Sequence, residues 1–186
     1  GIVISDYSFD YQHFNADQSL SSWMDSQDIP GIFGIDTREL TKKLREKGSM
    51  LGKFVVDKDI GTRDPNKENL VGAVSIGKPV VYGEGASGPK VVVVDCGVKS
   101  NIIRSFLKRG CEVTRVPWNY DFSKVEHDAL FISNGPGDPE MVGETINNIR
   151  EAINSKKPRP VMGICLGNQL LGLAAGGKTY KLKYGH

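Results

Sequence analysis

The feature that most limits how this chain can fold is a run of four valines at 91–94, closed by Asp95. Four consecutive β-branched residues leave no face for water, so the run predicts a strand covered on both sides, as in a parallel sheet between helical layers. The sequence after it keeps to that plan. Residues 99–109 place Ile102, Ile103, Phe106 and Leu107 at helical spacing, with Gly110 behind them. Residues 112–116 and 129–132 read as strands, 139–155 as a helix carrying Met141, Ile146, Ile149 and Ile153, 160–164 as strand, 166–175 as helix and 178–183 as strand. Such alternation predicts a doubly wound parallel sheet, whose ligands sit at the carboxyl ends of its strands. Three turns fall at those ends: Asp95-Cys96-Gly97, Asn134-Gly135-Pro136-Gly137 and Cys165-Leu166-Gly167.

The stretch 82–89, Y-G-E-G-A-S-G-P, reads as a connector and divides the chain into residues 1–88 and 89–186. The first part is irregular and reads as α+β. It offers strands at 2–4, 31–34 and 50–56, a helix at 18–26, and a weak helix at 66–71. A further helix runs to Lys47, capped by Asp36 or Thr37, with Leu40 and Leu44 on one face and Gly48 as its stop. The basic cluster Arg38, Lys42, Lys43, Arg45 and Lys47 reads as that helix's solvated face.

Charge narrows the function classes. Against 24 Lys and Arg stand 22 Asp and Glu, a net charge of +2 that offers no strong field to nucleic acid or a membrane surface. Apolar residues make up 39% and charged residues 25%, the mix of a globular protein. No apolar run approaches the ~20 residues that span a bilayer. Three Cys and three His exclude a disulfide-stapled mini-protein, argue against structural zinc, and suit a reducing compartment; no metal is expected. The chain opens on Gly1 and stops on the strand-like run before His186, so it reads as an internal piece of a longer protein.

Cys165 is the strongest chemical candidate. It follows an apolar strand, opens a helix, and has Gly163 and Gly167 at i−2 and i+2, the pattern of a sharp strand-to-helix turn that presents a nucleophile. The helix N-terminus favours its thiolate, and the Leu166 amide can face a developing oxyanion. The bland alternative is a small buried core thiol, and that is the reading for Cys96 and Cys111. The loop 134–139, N-G-P-G-D-P, offers glycine backbone for close approach to a ligand, or merely a helix cap through Asp138. The string from Gly172 to Thr179 fits a phosphate-binding loop, but such a loop must leave a strand and open a helix. Here it closes one, so Gly176 and Gly177 read as a helix stop and nucleotide binding is set aside. His13 lies in a loop, His127 before a strand at its amino end, and His186 at the last position, so none is an obvious base for Cys165.

G-I-C-L-G-N-Q-L-L at 163–171 resembles the nucleophile elbow of class I glutamine amidotransferases, and S-N-G-P-G-D-P at 133–139 resembles their oxyanion and glutamine loop. D-T-R-E-L-T-K-K-L-R-E-K-G at 36–48 and D-C-G-V-K-S-N-I-I-R at 95–104 resemble, more narrowly, the amidotransferase half of carbamoyl-phosphate synthetase. The resemblance spans essentially the whole chain. It implies a small-subunit-type domain at 1–88 and a C-terminally truncated, doubly wound amidotransferase domain at 89–186. It also implies attack by Cys165 on the side-chain amide of L-glutamine, a γ-glutamyl thioester, and release of ammonia to a synthetase half, fused or separate. That half uses bicarbonate, ATP and Mg, and no cofactor is implied for this part. By motif position Gly135 and Leu166 hold the oxyanion, and Gly137, Leu166 and Gln169 help bind glutamine. The family's catalytic His and Glu belong to a His-Pro-Glu segment downstream of these residues. Asn168 stands where most glutamine-using members have His; Asn at this place resembles the ammonia-using mitochondrial form of the urea cycle, which lacks the Cys, and with Cys165 kept the chain looks like a glutamine-competent member of that lineage. The expected compartment is therefore the mitochondrial matrix, with the cytoplasm as alternative. The other reading is a non-catalytic scaffold for an ammonia-dependent synthetase.

Overall fold

The computed structural model describes residues 1–183 and resolves into two compact units, Gly1–Lys58 with the segment from Lys181, and Asp59–Tyr180.

In the first unit β1 (Ile2–Val3) and β2 (Gly31–Ile32) pair in parallel. Helix α1 (Leu20–Ser26) starts where the Ser19 hydroxyl accepts the Ser22 N–H, and it buries Met24. Helix α2 (Thr37–Lys47) is capped by Asp36, whose carboxylate accepts the Glu39 N–H at 2.8 Å, and it ends at Gly48 with φ +85°. Of the two capping candidates, the aspartate is the one used. The strand expected at 50–56 does not form: only an isolated bridge joins Val56 to Lys58, and the stretch pairs with neither β1 nor β2.

The second unit is built on a five-stranded sheet in the order β3-β5-β4-β6-β7. Its strands are β3 (Val80–Tyr82), β4 (Lys90–Asp95), β5 (Glu112–Pro117), β6 (Ala129–Ile132) and β7 (Val161–Gly163). All neighbours are parallel except β3, which lies antiparallel along the outer edge of β5. The valine run behaves as its composition requires. Val92 and Val94 enter one core with Leu130, Ile132, Ile149, Leu166 and Leu170, while Val91 and Val93 enter another with Ile103, Val113 and Phe131. Helices α5 (Gly143–Ile153) and α6 (Leu166–Ala174) cover the first face, and α4 (Ser100–Leu107) covers the second. Phe106 of α4 meets Phe131 edge to face with centroids 5.2 Å apart.

Three further expectations need correction. The seam placed at residue 88 lies inside this unit: β3 is part of its sheet, and α3 (Leu70–Val74) inserts the buried Val71 into the first core. The helix expected from residue 139 begins with a 3₁₀ turn, Pro139–Met141, and becomes α-helical at Gly143. The strand expected at 178–183 is irregular; α6 closes at Gly176 (φ +93°), and the chain continues without a sheet partner.

From β4 the chain passes through α4 to β5 on one side, then crosses to β6 and β7 on the other. The strand order reverses between β4 and β6, and the carboxyl ends of the strands at such a reversal are where sheets of this kind bind ligands.

Candidate active site

The three turns singled out in the sequence all leave carboxyl ends of this sheet. The sharpest is at Cys165, between β7 and α6, where φ is +53° and ψ −115°. A non-glycine residue in this left-handed region costs of order 1–3 kcal/mol and persists only where its surroundings dictate it. Here they do. Ile164 donates its N–H to the Ile132 carbonyl at 3.1 Å, and the Cys165 carbonyl accepts the N–H groups of Asn168 at 3.0 Å and Gln169 at 3.2 Å. Leu166 and Leu170 anchor α6 in the core.

The flanking glycines are a steric requirement. A Cβ on Gly163 would lie 2.4 Å from the carbonyl carbon and oxygen of Gly167, and one on Gly167 would lie 2.2 Å from the Ile132 carbonyl oxygen. With hydrogen in those places, α6 starts directly against the ends of β6 and β7. The turn leaves the Cys165 thiol exposed at the N-terminal end of the helix.

Gly135 closes the other side. A Cβ there would fall 2.1 Å from the Cys96 carbonyl oxygen and 2.8 Å from Leu166 Cδ2, so the loop after β6 lies between the turn after β4 and the first residue of α6. Among the described residues, the N–H groups of Gly135 and Leu166 donate no hydrogen bond. Gln169 is exposed one turn into α6. Gly137, with φ +86°, faces Leu70 of α3. The structure thus brings Cys165, Leu166 and Gly135 to one place, with Gln169 on the same helical turn and Gly137 at the far end of the loop.

The loop is tied to the turn beside it. Ser133 Oγ accepts the Cys96 N–H and donates to the Asn134 carbonyl, both at 2.9 Å, and Asn134 Nδ2 donates to the Gly97 carbonyl at 3.0 Å. Beneath that turn lies Asp95, fully buried and paired with Arg115 at 2.7 Å. The sequence offered Asp95 only as part of a turn. Its signal was an acidic residue closing a run of four valines, where burial is certain and a partner is required.

The remaining candidates fall away from this place. Cys96 is fully buried; burial, and then the neighbouring Asp95 carboxylate, push its thiol up to about 12. Cys111 is buried at the start of β5. His127 is buried before β6, at the amino end of the sheet, with Nδ1 2.7 Å from the Val125 carbonyl oxygen and Arg159 Nη1 beside its ring. His186 lies outside the described residues. The phosphate-loop string is a helix terminus: Gly177 donates to the Gly172 carbonyl at 2.9 Å and Gly176 to that of Leu173 at 3.1 Å, the paired bonds of a Schellman motif. Among the described residues no three His, Cys, Asp or Glu cluster to hold a metal, and no helix is long and apolar enough to cross a membrane.

Residues 92–186 match the family of class-I glutamine amidotransferases, and residues 1–54 match the CPSase domain of the carbamoyl-phosphate synthase small chain. The multifunctional protein CAD of Squalus acanthias is 51% identical over the whole chain, which covers 8% of that protein. The human mitochondrial carbamoyl-phosphate synthase (ammonia) is 48% identical over 98% of the chain, which covers 12% of it. The multifunctional protein ura1 of Schizosaccharomyces pombe is 44% identical over the whole chain, which covers 10% of it. The chain therefore spans about a tenth of the length of these relatives. On its motifs, its sheet and these matches, the chain belongs to the class-I glutamine amidotransferases, with a first segment similar to the carbamoyl-phosphate synthase small chain.

Proposed function

We propose that this domain hydrolyses L-glutamine through Cys165 and supplies the ammonia to a synthetase half that makes carbamoyl phosphate. The observation that carries the reading is the Cys165 turn itself: an exposed thiol held at φ +53° between a strand end and a helix start, with two unengaged amides beside it.

The sulfur attacks the side-chain carbonyl carbon of glutamine, and the carbonyl electrons move to oxygen. The N–H groups of Gly135 and Leu166 receive that negative oxygen, and the N-terminal dipole of α6 favours the same charge. Collapse of the tetrahedral centre breaks the carbon–nitrogen bond, and nitrogen leaves as ammonia with a transferred proton. Water then attacks the γ-glutamyl thioester, releasing glutamate and restoring the thiol. Gln169 and Gly137 border the space that glutamine occupies. Residues 59–180 contain a single imidazole, His127, at the opposite end of the sheet from the thiol, so His127 is not the group that moves the protons in this reading. Residues 1–186 alone should accordingly turn over glutamine several powers of ten more slowly than the complete protein. ATP, Mg and bicarbonate belong to the synthetase half, which is fused or a separate chain.

Asn168 supports a second reading, a scaffold for a synthetase fed with free ammonia. Its neutral carboxamide lies on the exposed first turn of α6, three residues from the thiol. Asn168 and the mitochondrial relatives support the mitochondrial matrix as the compartment; a cytoplasmic setting is the alternative.

The test supplies the full-length protein with glutamine or ammonium and measures carbamoyl phosphate. Cys165→Ser is expected to abolish glutamine-dependent synthesis and leave ammonium-dependent synthesis intact. Wild-type activity with ammonium alone favours the scaffold, and loss of glutamine use in Cys96→Ser but not Cys165→Ser refutes the nucleophile.

A further inference from the structure

The carboxylate of Asp95 takes no part in the chemistry above, yet its contacts are extensive. It is fully buried. One oxygen accepts the N–H groups of Gly97 at 3.0 Å and Val98 at 2.8 Å. The other accepts the Ile76 N–H at 2.8 Å and Arg115 Nη2 at 2.7 Å. Burying a carboxylate carries a desolvation penalty of several kcal/mol, and hydrophobic residues of similar volume are often as stable in such a place. A second cost is visible beside it: the buried Nε of Arg115 has no hydrogen-bond partner among the described residues. Core packing does not demand this arrangement, since Val91 to Val94 already fill both faces of β4.

The four contacts lead to the site. The bonds from Gly97 and Val98 fix the turn after β4. That turn sets the Cys96 carbonyl against the bare Cα of Gly135, and Ser133 and Asn134 lock loop and turn together. The bond from Ile76 fixes the segment following α3, whose Leu70 faces Gly137 at the other end of the same loop. Arg115 draws the whole arrangement to β5. One buried carboxylate therefore braces the oxyanion loop at both ends.

We propose that Asp95 is a positioning residue for glutamine hydrolysis: by fixing turn 96–98 and the segment at 75–76, it sets the direction of the Gly135 N–H. This rests on the function proposed above. Asp95→Asn keeps the shape but places an amide donor against N–H groups or the guanidinium, so the turn must re-form around it.

The experiment measures glutamine hydrolysis by the full-length protein. Asp95→Asn is expected to lower kcat about tenfold or more, because a misplaced donor fails the transition state. KM for glutamine is expected to stay within about threefold, and alkylation of Cys165 to keep its rate, since the thiol turn is held by β6, β7 and α6. Ser133→Ala, which cuts the tie between loop and turn and spares the ion pair, is the second variant; it should give the same kcat-only loss, a few-fold in size. Folded variants with wild-type kcat overturn the proposal. So does a parallel fall in kcat and alkylation rate, which means general loosening. A wild type inactive on glutamine overturns this proposal and the proposed function together; an active wild type with unaffected variants overturns this one alone.

Discussion

Gly135→Ala places one methyl group where three atoms already stand: the Cys96 carbonyl oxygen at 2.1 Å, Leu166 Cδ2 at 2.8 Å and the Cys96 carbonyl carbon at 2.9 Å. Restoring an ordinary contact to that oxygen requires a relative movement of about 1.3 Å or more. The Cys96 side cannot supply it cheaply, because the turn is bonded to Asp95 and Ser133. The loop after β6 has to move, carrying the Gly135 N–H away from the oxyanion. Losing one such donor costs about 2.7–4 kcal/mol, a factor of 10²–10³ in kcat, and a shift of about 1 Å alone can cost about 10²-fold. KM should change far less, since the lost bond strengthens only as charge develops. Overpacking should also remove about 1–3 kcal/mol of stability, so the assay is run well below the melting temperature, with circular dichroism to confirm folding. The readout is glutamate formed by the full-length protein, with Cys165 alkylation as the control for the nucleophile turn. A folded Gly135→Ala protein with kcat within about threefold of wild type would refute the role given to this amide.

Two further outcomes follow from the cysteines. Native protein treated with iodoacetamide near neutral pH is expected to carry the label on Cys165, with Cys96 and Cys111 modified only after unfolding; peptide mass spectrometry reads this, and early labelling of Cys96 contradicts it. The raised Cys96 thiol also predicts an alkaline limb in stability. The unfolded chain releases this proton near the usual ~8.5, whereas the folded protein holds it up to about 12. Above the usual value the unfolded state binds fewer protons, so the contribution is complete below it and falls by about 1.4 kcal/mol per pH unit towards the folded value. Denaturant titrations of wild type and Cys96→Ala across this range should diverge in slope, and parallel curves would rule the effect out.

The parts of the fold legible in the sequence were those where one residue pattern admits one environment. The valines at 91–94 could only be a doubly covered strand, and the glycines around Cys165 only a tight strand-to-helix turn. What escaped depends on partners far away in sequence. Val80–Tyr82 adjoins the Gly-rich stretch and became a strand because the outer edge of β5 was open to it. The stretch 50–56, interrupted by Gly52 and Lys53, gained no such partner. The same holds within the site: Cys165 announces itself locally, but Asp95 gains its meaning from Ile76, Arg115 and a glycine forty residues on.

That contrast bears on how the site works. An exposed cysteine in a left-handed conformation and amides left without acceptors are each unfavourable for a folded chain, and neither survives unless neighbouring structure compels it. Compulsion at Cys165 comes from apolar packing, with Leu166 and Leu170 sealed beneath α6. At Gly135 it comes from polar bracing through Ser133, Asn134 and the turn that Asp95 holds. The two supports meet where Leu166 Cδ2 abuts Gly135. Core substitutions under α6 should therefore loosen the proposed nucleophile, and substitutions around Asp95 the proposed oxyanion donors, so the two halves of the proposed site can be perturbed separately although they touch.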